Sequence, residues 1–151
     1  MFRSSKIEIV EDEIKLYLID YPNDSYAKPL YADILRVSGK HKNANNIYQE
    51  VLIDAKSKKA IESAYIGLAK IEMINKNYDK SIKLIDKINK DFMDIREINT
   101  LNRIKVYSMV KEGIPFHRDN YTYTEKQILS MFPVYYELDK VLYGKWRFRW
   151  I

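Results

Sequence analysis

A chain of 151 residues and 18.1 kDa is long enough to bury one real core and is expected to form a single unit. With 46% hydrophobic and 31% charged residues and only four Gly and four Pro, wholesale disorder is excluded, and the absence of cysteine excludes disulfides and thiolate zinc sites. The net charge of +5 would suit an acidic partner or a nucleic acid, but Lys is spread along the chain among many Ile, Asn and Tyr, which fits an AT-rich codon bias better.

The opening residues lead into Glu8, Glu11, Asp12 and Glu13 without an apolar signal-peptide core. No later run approaches the roughly 18 apolar residues of a membrane span, so a soluble, cytoplasmic protein is expected. Over residues 9–20, Val10, Ile14, Tyr17, Leu18 and Tyr21 recur at helical spacing and leave Glu11, Glu13 and Lys15 for solvent. Pro22 ends this first helix.

Residues 25–38 predict a second helix with Leu30, Ile34 and Leu35 inward and Ala32 giving a neighbour room. Pro29 is tolerated only in a first turn, which moves the start to Ala27 or Lys28, and Gly39 stops the helix. Residues 43–55 return antiparallel, burying Ala44, Ile47, Tyr48, Val51 and Leu52. After a polar connection at 56–59, residues 62–75 predict a helix using Tyr65, Leu68, Ala69 and Met73, with Gly67 permitting close approach. Residues 79–90 return on Ile82, Ile85 and Ile88, with Lys80, Lys83, Asp86, Lys87 and Lys90 solvated.

A last long helix fits residues 95–110 through Ile98, Leu101, Ile104 and Met109, ended by Gly113 and Pro115. Beyond it, residues 120–123 are extended in propensity. Thr124 and Gln127 have capping-box spacing for a short helix through Ile128, Leu129 and Met131, closed by Pro133. Residues 134–143 fit strand or helix. Lys145, Trp146, Arg147, Phe148, Arg149 and Trp150 alternate strictly, which places rings on one face and cations on the other of a strand.

Between residues 31 and 88 one helical pattern is written twice, and aligning His41 with Tyr78 sets its period at 37 residues. Tyr31, Ala32, Ala44 and Tyr48 in the first copy, and Tyr65, Leu68, Ala69 and Tyr78 in the second with Ser81 as an acceptable small residue, resemble the signature of the tetratricopeptide repeat. Lys28, Leu35 and Lys56, then Glu72, Ile85 and Met93, depart from it, and the polar connection lengthens the period beyond the family's roughly 34 residues. The resemblance spans residues 10–93. It implies an all-α solenoid of antiparallel helix pairs over residues 1–115, capped by its first and last helices, with residues 116–151 as a C-terminal extension.

The same resemblance implies an adaptor that binds a protein or peptide on its concave face, lined by Tyr26, Asp33, Arg36, Val37, Ser63, Ile66, Lys70, Met73 and Ile74. Some members grip a terminal carboxylate with paired Lys and Asn. Here the corresponding positions hold Pro29 and Asp33, then Ile66 and Lys70, so that clamp is lacking.

Catalysis needs converging groups, and the two histidines, His41 in a turn and His117 in a loop, do not supply them. No phosphate loop, metal-binding spacing or nucleophile elbow occurs, so neither enzyme activity nor a cofactor or metal is expected. The ring series Trp146, Phe148 and Trp150 is expected to cap the open end of the stack or to pair with a second copy in a homodimer. Its interleaved Arg147 and Arg149 also suit stacking on single-stranded nucleic acid or a membrane interface, which makes a nucleic-acid-associated regulator the alternative function.

Overall fold

The computed structural model describes residues 2–91, 93–112, 116–118 and 121–123. Six helices follow one another: α1 Phe2–Asp20, α2 Ala27–Val37, α3 His41–Asp54, α4 Lys58–Ile74, α5 Tyr78–Asp86 and α6 Ile95–Lys111. A short antiparallel ribbon, β1 Phe116–Arg118 and β2 Tyr121–Tyr123, comes after them, with Phe116 opposite Tyr123 and Arg118 opposite Tyr121. The protein is therefore all-α in class. It divides into two compact units, 1–71 and 72–151, and α4 runs through the division.

In the first unit α2 packs on both α1 and α3. Ala32, Ala44, Ala64 and Ala69 have no exposed surface, so these helices approach through methyl groups where a larger side chain would hold them apart. Leu35, Tyr48, Val51 and Leu68 fill the space between, each worth roughly 1.5–3 kcal/mol when fully buried. Leu30, expected inward, is half exposed, and Pro29 is buried in its place, seated in the first turn of α2 where a missing N–H costs nothing.

α1 departs most from expectation. It starts at Phe2, well before residue 9, and its inner stripe is Ile7, Glu11, Ile14 and Leu18, while Val10, Tyr17 and Tyr21 lie exposed. A charge explains the shift. Glu11, expected in solvent, is buried with Oε1 2.7 Å from Lys40 Nζ, and this hydrogen bond raises the lysine above its ordinary range. Tyr17 stacks on Tyr21 at 4.8 Å and donates its hydroxyl to Asp24 Oδ2 at 2.7 Å. The Tyr17 hydroxyl, then the Ala27 and Tyr26 amides, hold the Asp24 carboxyl below its ordinary range, and its Oδ1 thereby caps the entry to α2.

The 37-residue period reappears as geometry in the turns. Gly39 and Lys76 both take left-handed φ, +85° and +62°, and the next residues, Lys40 and Asn77, have φ/ψ of −87°/60° and −91°/63°. The Lys40 amide donates to Leu35 O at 2.8 Å and the Gly39 amide to Arg36 O at 3.1 Å; Asn77 to Glu72 and Lys76 to Met73 repeat the pattern at 2.8 and 3.0 Å. Both are Schellman closures. At the same offset, Ala32 matches Ala69, Ala44 matches Ser81, Tyr48 matches Ile85 and Val51 matches Ile88, all buried.

α4 begins at Lys58 instead of residue 62, so the expected polar connection shrinks to 55–57, with Ser57 Oγ reaching the Ala60 amide at 3.4 Å. In the second unit α5 packs on α6, burying Ser81, Ile85 and Ile88 and, on α6, Leu101, Ile104, Val106 and Ser108. α5 stops at Asp86, short of residue 90, where Lys87 and Ile88 turn back onto Leu84 O and Ile85 O. α6 opens on a capping box: the Glu97 amide donates to Asp94 Oδ1 at 2.9 Å and the Asp94 amide to Glu97 Oε2 at 3.2 Å.

The extended propensity of residues 120–123 yields β2, and His117, expected in a loop, lies in β1. The helix expected at 124–133, the ambiguous stretch 134–143 and the series Trp146, Arg147, Phe148, Arg149 and Trp150 lie outside the described residues. Among the described residues no helix is long and apolar enough to cross a membrane.

Candidate functional site

Three helices of the first unit bring four polar side chains to one place. Tyr48 on α3 is fully buried, and its ring lies where a side chain at position 67 of α4 would stand, which only glycine permits. Its hydroxyl donates to Asp33 Oδ1 and accepts a hydrogen bond from Arg36 Nε at 3.2 Å. Arg36 is only 6% exposed, and its Nη2 sits 3.9 Å from the same Asp33 oxygen. Burial, with the Asp33 charge beside it, pushes the Tyr48 hydroxyl far above its ordinary range, so it stays a neutral donor at all working pH.

Lys70 stands nearly one turn beyond Gly67 on α4 and completes the cluster. Burial first, then repulsion from Arg36, push its amine down from 10.5 to about 8, with Asp33 offsetting part of the shift. Asp33 is the exposed rim of the group, its side chain 40% accessible.

The residues expected to line a binding face take unequal places. Tyr26 is exposed at the head of α2; Asp33 and Val37 are partly buried; Ser63, Ile66 and Lys70 form a partly buried row along α4 at spacings of three and four. Asp33 and Arg36 of α2 act on Lys70 of α4 through their charges. Met73 and Ile74 fall in the second unit, where Met73 is core at 3% exposure. Tyr48 was expected only as core, because its spacing among apolar residues hides the use of its hydroxyl. What could have flagged it is Gly67: a helix-interior glycine at that offset leaves room for a ring.

Chemically, Lys70 suits anion reception more than proton transfer. The nearby carboxylate that could exchange protons with it, Asp33, is already engaged by Tyr48 and Arg36. A small cleft elsewhere in the unit, among Asp24, Lys28, Pro29, Val51 and Asp54, has about 20 Å³ of usable space, room for a water and not a substrate. Among the described residues no group of His, Cys, Asp or Glu could hold a metal ion. Comparison with protein-family models, curated proteins and solved structures finds no match for this chain.

Proposed function

We propose that this chain is a non-catalytic interaction module, a divergent helix-pair array of the tetratricopeptide kind, that binds a protein or peptide along the α2 and α4 rows. The observation that carries this is Lys70: burial and the neighbouring Arg36 disfavour its charged form, and strongly perturbed ionisable groups collect at functional sites. On the same two helices Val37 and Ile66, with Tyr26 at the head of α2, offer the apolar and aromatic surface that peptide grooves use. The lack of cysteine fits a reducing compartment, and we place the module in the cytoplasm.

Affinity capture from the native cell, with and without nuclease, tests this against Tyr26→Ala and Ser63→Arg, two substitutions away from the fully buried core. Protein partners that survive nuclease and are lost from the double variant are expected. Partners that survive both treatments unchanged place binding elsewhere, and partners lost to nuclease favour a nucleic acid.

A further inference from the structure

We propose that the outer face of α1 is a docking surface for a basic amphipathic helix of a partner protein, which lays apolar side chains over Ile9, Leu16 and Ile19 and sets Lys or Arg against the acids beside them. This face is separate from the α2 and α4 rows, and the proposal does not depend on them.

α1 packs on α2 and turns the stripe Ile7, Glu11, Ile14 and Leu18 inward. A surface helix of this kind ordinarily carries polar residues on its other side. α1 does not: Ile9 is 57% exposed, Leu16 66% and Ile19 73%. Leu16 stands two turns beyond Ile9, and Ile19 one turn further, so the three form one apolar ridge about 15 Å long at roughly 1.5 Å per residue. Val10 and the stacked pair Tyr17 and Tyr21 widen the apolar surface to one side. Single apolar residues on a surface need no explanation, but a continuous ridge of them marks a place where something packs.

The charges on this face decide what covers it. Asp12 and Glu13 lie in the turns between Ile9 and Leu16, and Asp20 lies one turn beyond Leu16. All three are exposed, and their side chains form no ion pair among the described residues. From Lys6 to Asp20 the exposed charges are Lys6 and Lys15 against Glu8, Asp12, Glu13 and Asp20, Glu11 being buried on Lys40. The face is thus net acidic on a chain of net charge +5. A second copy brought face to face would set like charges together, and a nucleic acid or an anionic membrane would be repelled, whereas a cationic helix gains at each acid. A helix also fits the shape, because α1 has no free backbone edge for a strand to join and its ridge seats in the groove of a neighbouring helix.

A peptide of about 18 residues made of Leu and Lys, with Leu at helical spacing, is the probe, and its counterpart of Leu and Glu is the control. Binding to the full chain is read by NMR in the amide shifts of α1 and by the helicity that the peptide gains. The Lys peptide is expected to bind about tenfold or more tightly than the Glu peptide. Ile9→Ser with Leu16→Ser, both at exposed positions, should weaken it about tenfold. Asp12→Lys with Glu13→Lys should reverse the preference to the Glu peptide. Circular dichroism checks that both variants keep their helices. Equal binding of the two peptides, shifts confined to other helices, or a preference that survives the charge reversal overturns the proposal. A chain that dimerises until Ile9 and Leu16 are replaced overturns it in favour of a second copy. Binding to phosphatidylcholine vesicles that is lost in the same variant overturns it in favour of a lipid surface.

Discussion

The ring of Tyr48 occupies the space that a side chain on Gly67 would need. This one approach lets α3 and α4 close together, and it delivers the Tyr48 hydroxyl to Asp33 and Arg36. In an ordinary helix interior Gly→Ala adds roughly 1 kcal/mol of stability. Here the overlap involves the body of a buried ring, so Gly67→Ala is expected to destabilise by about 1–3 kcal/mol. Urea unfolding checks the sign, and a gain in stability would mean that Tyr48 sits elsewhere.

The two Schellman turns make opposite predictions at equivalent positions. Gly39→Ala forces a Cβ into φ +85° and should cost about 1 kcal/mol, although nothing crowds it. Lys76 already carries that strain at φ +62°, so Lys76→Gly should gain about 0.5–1 kcal/mol. Thermal melts of the pair read both; the same sign for both would break the equivalence of the turns.

Much of the architecture could be read from apolar spacing and breaks. Pro22, Gly39 and the Lys76-Asn77 pair each mark a boundary because their backbone preferences act locally. The failures share a cause too. Glu11 and Arg36 are buried by partners distant in the chain, Lys40 and Tyr48, and a hydrophobicity period treats every charge as solvent-facing. That is why Glu11 and not Val10 joins Ile14 and Leu18 on the inner stripe of α1. Asp33, Arg36 and Lys70 were legible as candidates only through the resemblance to a repeat family, and the meeting of Asp33 and Arg36 at a tyrosine hydroxyl depends on helix packing that no local pattern encodes.

Ser108 on α6 offers a test in the second unit. Its hydroxyl is fully buried with no hydrogen-bond partner among the described residues. Ser108→Ala removes the unmet desolvation cost and improves helix propensity, so it should stabilise by about 1 kcal/mol. Destabilisation by a similar amount would mean that the hydroxyl is satisfied.

The pH dependence of stability has a definite sign at Lys70. Its folded value, about 8, lies below the ordinary 10.5, so the unfolded chain holds the proton more tightly between these values. Stability from this group is therefore lowest below pH 8 and rises between 8 and 10.5, by on the order of 3 kcal/mol. Lys70→Met should flatten that rise and be more stable than wild type at pH 7. Urea midpoints across this range, compared between the two proteins, check it.

The most direct measurement is the titration midpoint of the Lys70 amine in the free, full-length chain, read by NMR against Lys70→Met for assignment. A midpoint near 8 is predicted, since burial and Arg36 both disfavour the charged amine there. A midpoint at the ordinary 10.5 would mean that Lys70 is solvated or already paired, and would contradict the desolvated amine beside Arg36 on which the proposed binding face rests.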